Sequence, residues 1–92
     1  MKNSETGAAS LIDYPCAFAI KVMGRRDAAL LPEMAAIAVQ HDPGFDTASI
    51  TQRHSSGGNY VGLTLTVTAT SRAQLDDLYR AFSSHRLVKV VL

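Results

Sequence analysis

A chain of 92 residues has room for one domain with a modest core, and its 47% hydrophobic and 18% charged content is that of a globular protein rather than a disordered or fibrous one. The formal net charge of +1 supplies no global pull toward nucleic acid or an anionic membrane. Cys16 stands alone and has no internal disulfide partner, and neither a secretory-signal pattern nor an apolar run of the roughly 20 residues that cross a bilayer is present, so a soluble, cytoplasmic protein is expected.

Met1 to Asp13 lack periodicity and predict a flexible N-terminal tail over residues 1–13 that packs only near Leu11 and Ile12, ahead of a single domain over residues 14–92. From Cys16 to Met23, Phe18, Ile20 and Val22 alternate with Ala17, Ala19 and Lys21, a strand with one apolar face that Gly24 is expected to end. Arg25, Arg26 and Asp27 then lead into a helix, with Asp27 as cap and Pro32 tolerated in the first turn. Its stripe of Leu30, Met34, Ile37 and His41, widened by Leu31, Ala35 and Ala38, has the 3.6-residue period of a helix lying on a sheet, and Asp42, Pro43 and Gly44 stop it.

A polar strand is expected over about Ala48 to His54, with Ile50 its only large aliphatic residue, which suits a sheet edge. Ser55 to Asn59 reverse the chain, Gly57 and Gly58 being read as the left-handed positions of the turn. The following run is the cleanest in the chain: Val61, Leu63, Leu65, Val67 and Ala69 point one way, Gly62, Thr64, Thr66, Thr68 and Thr70 the other. Such a strand belongs to a sheet covered on one face only. Ser71 with Gln74 forms a capping-box pattern before Leu75, Leu78, Tyr79 and Phe82, while Arg72, Asp76 and Arg80 fall at ion-pair spacing on the outer face. Val88, Val90 and Leu92 alternate with Lys89 and Val91 in a last strand.

Strand, helix, strand, strand, helix, strand is the split βαβ order of ferredoxin-like α+β domains. Right-handed crossovers place the first and third strands centrally in a four-stranded antiparallel sheet, with both helices on one face. The other face would carry Ala17, Ala19, Lys21, Thr64, Thr66, Thr68 and Lys89. Sheets of this kind that read single-stranded RNA stack bases on central aromatics. Alanine and threonine fill those positions here and only Tyr60 could stack, which argues against nucleic acid.

Cys16, His41, His54 and His85 never approach metal-ligand spacing, no base accompanies Cys16, and Asp27 with Glu33 reads as a cap beside a solvated side chain, so no catalytic residue, metal or cofactor is assigned and the chain reads as a non-enzyme. Two turns can offer backbone N–H groups to a ligand: Gly24, Arg25 and Arg26, joining the first strand to the first helix, and Ser55, Ser56, Gly57, Gly58 and Asn59. Glycine, serine and asparagine also serve hairpins by conformation alone, and the Gly-Arg-Arg step is no phosphate-loop motif.

Tyr14-Pro15-Cys16, the F-x-I-K-V-M-G of Phe18 to Gly24, Ser55-Ser56-x-Gly58-Asn59-Tyr60, the T-x-T-A-T-S of Thr66 to Ser71 and Val88-Lys89-x-Val91-Leu92 together resemble the YbeD family of small bacterial proteins, over about Leu11 to Leu92. The resemblance implies an alpha-beta plait similar to regulatory ACT domains, in a family without established biochemical function that genome neighbourhood associates with lipoate metabolism. ACT domains hold small effectors near the turn after the first strand, often at a dimer interface, and Gly24 is expected in that turn. Gly57 departs from the basic residue usual in the family, which weakens an anion site there. Lys21, Gly24, Arg25, Ser55, Ser56, Asn59 and Tyr60 are the candidate contacts for an unknown small-molecule effector, the chain being a monomer or weak homodimer. A protein-interaction module pairing through the edge strand Val88 to Leu92 and RNA binding on the open sheet are the alternatives.

Overall fold

The run from Val61 to Ala69 organises the structure, a computed structural model that describes residues 13–92. It lies in β3 (Tyr60–Ala69), which pairs antiparallel with β1 (Cys16–Arg25) along an unbroken ladder from Cys16 opposite Ala69 to Arg25 opposite Tyr60. β2 (Thr51–His54) flanks β3 and β4 (Val88–Val91) flanks β1, giving the order β2-β3-β1-β4 with every pairing antiparallel. Two helices, α1 (Leu30–His41) and α2 (Arg72–Ser83), complete the ferredoxin-like βαββαβ order. The tail expected over residues 1–13, with its packing near Leu11 and Ile12, lies outside the described residues except for Asp13.

Because strand side chains alternate, Ile20 and Val22 of β1 and Leu63, Leu65 and Val67 of β3 share one face, where they bury against Leu30, Met34 and Ala38 of α1 and Leu75, Leu78 and Phe82 of α2. Each large side chain removed from water there contributes about 1.5–3 kcal/mol. Thr66 and Thr68 on the opposite face are exposed.

β2 begins at Thr51, opposite Thr64, so the outer edge of β3 beyond that point has no strand beside it. Polar side chains substitute. The Asp42 carboxylate, buried just past the end of α1, accepts from the Thr68 N–H at 2.9 Å. Gln74 donates from Nε2 to the carbonyls of Thr68 (3.1 Å) and His41 (2.9 Å) and accepts from the Thr70 N–H through Oε1 (2.7 Å). Ser71 caps α2 as expected, its Oγ accepting from the Gln74 N–H, but the reciprocal bond of a capping box goes to Thr70 instead of Ser71.

Several local expectations are corrected. β1 does not end at Gly24 but runs through it to Arg25; a Cβ there would lie 2.7 Å from Leu30 Cδ1 and 2.7 Å from the Leu87 carbonyl, so this glycine serves close packing and not a turn. Asp27 precedes the N-cap Ala29 and receives its N–H at 2.8 Å. Ala48 lies in a 3-10 turn, Thr47–Ser49, capped by Asp46, and β2 starts only at Thr51. Of Gly57 and Gly58, only Gly58 has positive φ, at 75°. Arg72 pairs with Asp76 (3.5 Å), whereas Arg80 reaches Asp77 (2.9 Å).

β4 also departs from simple alternation. Val91 stands opposite Val22, Val90 opposite Met23 and Val88 opposite Gly24, which leaves Lys89 as an extra, bulged residue. Val88 and Val91 therefore both turn toward the core, while Val90 and Leu92 emerge on the open face.

Candidate functional site

The two turns singled out in the sequence meet in space, because the β1–β3 register sets Arg25 opposite Tyr60. The Arg26 N–H donates to the Asn59 carbonyl at 3.1 Å, and the Arg26 guanidinium would lie 3.6 Å from a Cβ built on Gly58. Arg25, Asn59 and Tyr60 together line a small polar cleft of about 280 Å³. Ser55 is engaged in the turn itself: its N–H donates to the Tyr60 carbonyl, its carbonyl accepts from Gly58, and its Oγ accepts from the Tyr60 N–H at 3.2 Å. Ser56 is exposed beside it. Lys21, four residues before Arg25 along β1, lies on the open sheet face, and Gly24 is buried against Leu30 and Leu87. The expected constellation is thus divided into a polar corner, a packing glycine and a separate lysine.

A larger cleft of about 340 Å³ lies on the other side of the same corner. Gln52 and His54 of β2 stand opposite Leu63 and Val61 and so point to the helix side of the sheet, yet both are exposed. They form one wall. Val61 and Leu63 form the floor, Leu30 and Leu31 at the start of α1 the opposite wall, and Arg26 with Asp27 the mouth. Gln52 Nε2 lies 3.2 Å from His54 Nε2, within hydrogen-bond distance. An apolar floor with an imidazole, an amide, a guanidinium and a carboxylate at the rim suits a small molecule with an apolar body and a polar or ionised end.

His54, Gln52, Leu31 and Arg26 were not legible as a unit. The polarity of β2 identifies an edge strand but does not say that two of its side chains wall a cleft over buried core residues. His41 and His85 serve the fold: His41 Nδ1 bonds the Ile37 carbonyl at 3.0 Å, and His85 joins Glu33 through Nε2 while Nδ1 accepts from the Leu87 N–H. Among the described residues no three His, Cys, Asp or Glu side chains come together, and no helix is long and apolar enough to cross a membrane.

Comparison with known proteins gives a family. The model of a family described as "Protein of unknown function (DUF493)" matches residues 9–92. A UPF0250 protein of Bordetella pertussis is 54% identical over 83 residues, covering 90% of this chain and 91% of that protein, and a UPF0250 protein of Leptothrix cholodnii is 57% identical with the same coverage. The solution structure of protein HP0495 from H. pylori matches 88% of this chain and 85% of its own with a TM-score of 0.68 at 17% identity, a likeness of fold. The family model and the relatives show that the chain belongs to the DUF493 family as a YbeD-like small protein of unknown function.

Proposed function

We propose that this protein is a non-enzymatic, regulatory module that binds a small molecule in the cleft between the start of α1 and β2. The supporting observation is the cleft itself: about 340 Å³, within the range of small-molecule sites, with an apolar floor of Val61 and Leu63 and the polar groups of His54, Gln52 and Arg26 converging on its rim. Its position beside the β1–α1 connection is where the resemblance to ACT domains implies an effector. The family's association with lipoate metabolism adds lipoyl compounds to amino acids and nucleotides as ligands to try.

A thermal-shift screen of those three classes tests the reading. A true ligand raises the melting temperature increasingly with concentration, by about 2.7 kcal/mol in stability at one hundred times Kd. His54→Ala, on an exposed edge strand, keeps the fold and lowers the affinity for that ligand about tenfold, as expected for one hydrogen bond of roughly 1.4 kcal/mol. A flat screen, or a shift indifferent to His54→Ala, removes the cleft from consideration.

A second reading, pairing of two copies through β4, draws on the exposed Val90 and Leu92 of that edge. Concentration-dependent dimerisation abolished by Val90→Asp supports it. Val91 is the wrong place for such a charge because it turns toward the core.

A further inference from the structure

The open face of the sheet is organised around a glycine that the fold does not require. A Cβ on Gly62 would meet only the Arg53 carbonyl oxygen, at 3.7 Å, an ordinary contact, and its φ is not in the left-handed region. Glycine inside a central strand weakens it, and one that packing does not demand marks the close approach of something else.

What surrounds Gly62 is specific in chemistry. The strand registers put Arg53, Gly62, Met23 and Val90 in one row across the sheet. Lys21 and Leu92, which exchange both backbone hydrogen bonds (3.2 and 2.8 Å), occupy the next row on one side, and Arg25 with Tyr60 the row on the other. Strand spacing and rise place the Cα of Arg53 about 5 Å and those of Lys21 and Arg25 about 8 Å from Gly62, inside the reach of their side chains. The Asp and Glu side chains among the described residues belong to α1, α2, the connections flanking α1, and Asp13 beyond the far end of β1; none of these side chains stands in these rows. Met23, Val90 and Leu92 are 41%, 40% and 71% exposed and adjoin one another, whereas isolated surface aliphatics would carry no meaning.

We propose that this face docks an acidic, aliphatic-rich segment of another protein, laid over Gly62 with its carboxylates on Lys21, Arg25 and Arg53 and its aliphatic side chains on Met23, Val90 and Leu92. The depression above Gly62 is about 160 Å³, below the roughly 300–1,000 Å³ of small-molecule pockets, so the surface fits a covering segment and not an enclosed ligand. A second copy placed face to face would set three cations against three cations. With Tyr60 the one aromatic in these rows, the face offers little for bases to stack on.

Selection of random short peptides displayed on phage against the full chain, followed by affinity measurements on the enriched sequences, tests the proposal. The expected peptides combine Asp or Glu with Leu, Ile, Val or Met, and their affinity falls about tenfold with Arg53→Glu and with Gly62→Val, the first change also flattening the dependence on salt. Should Gly62→Val fail to fold, Arg53→Glu on the exposed edge strand carries the test. The proposal is overturned by no enrichment, by neutral or basic winners, by affinities indifferent to both variants, or by tighter binding to mixed single-stranded RNA than to any peptide.

Discussion

Two glycines of the same sheet separate packing from function at the level of single residues. Gly24→Ala forces a methyl to 2.7 Å from both Leu30 Cδ1 and the Leu87 carbonyl; the leucine can rotate away, but the carbonyl belongs to the chain entering β4. A loss of about 1–3 kcal/mol is expected, read from urea unfolding midpoints. Gly62→Ala meets no such obstacle and is expected to leave stability unchanged or raise it by up to about 1 kcal/mol. Equal destabilisation by both changes would show that Gly62 is structural after all. Tyr79 gives a pH-dependent counterpart. Its hydroxyl lies 3.4 Å from the Leu92 carbonyl, to which it donates, and burial pushes the phenol above its ordinary value. The folded state thus favours the protonated phenol, so this contribution is complete below the unfolded tyrosine pKa of about 10 and is lost as pH rises through the higher folded value. Stability of the native chain is expected to fall more steeply than that of Tyr79→Phe across that range.

Among the elements, the polar join between the end of α1, the outer edge of β3 and the start of α2 rests on very few groups, Asp42 and Gln74 above all. Asp42 and Gln74 satisfy the N–H and carbonyl of Thr68 where β2 does not reach. Asp42→Ala takes a buried partner from the Thr68 N–H and is expected to cost about 1–3 kcal/mol in urea unfolding, whereas Gln74→Ala, whose bonds to Thr68 and Thr70 are open to water, is expected to cost about 0.5–1.5 kcal/mol. Because both act on one residue, the double variant should lose a different amount from the sum, and strict additivity would show that they act independently. None of this join was legible in the sequence, since its partners are brought together only by the fold. The alternation of β3 and the stripe of α2 were legible because a period is a local property. The phase of β4 was not, because the bulge at Lys89 breaks the alternation on which a phase depends, and a bulge leaves no mark in four residues of valine and lysine. The same limit applied to the site: that Arg25 faces Tyr60 follows from register, and that Gln52 and His54 wall a cleft follows from where α1 stops covering the sheet.

Over the whole molecule, stability is concentrated in the two central strands, which both candidate surfaces share, and falls off toward the edge strands. β1 and β3 share a ten-residue ladder over a buried face, whereas all four residues of β2 are exposed and pair with β3 alone, and β4 is a short bulged edge. Amide hydrogen exchange is therefore expected to be slowest along Ile20–Val22 and Leu63–Val67, near the rate of global unfolding, and fastest in β2 and the 3-10 turn before it. Uniform protection across the four strands would contradict this ranking. The ranking also distinguishes the two surfaces. A small molecule in the cleft rests on Gln52 and His54 and should slow exchange in β2 while leaving β4 unchanged. A peptide on the open face rests on Met23, Val90 and Leu92 and should slow exchange in β4 and the middle of β1, reaching β2 only around Arg53. Exchange measured with each class of ligand in turn thus locates binding through the weakest strands of the sheet, β2 reporting on the cleft and β4 on the open face.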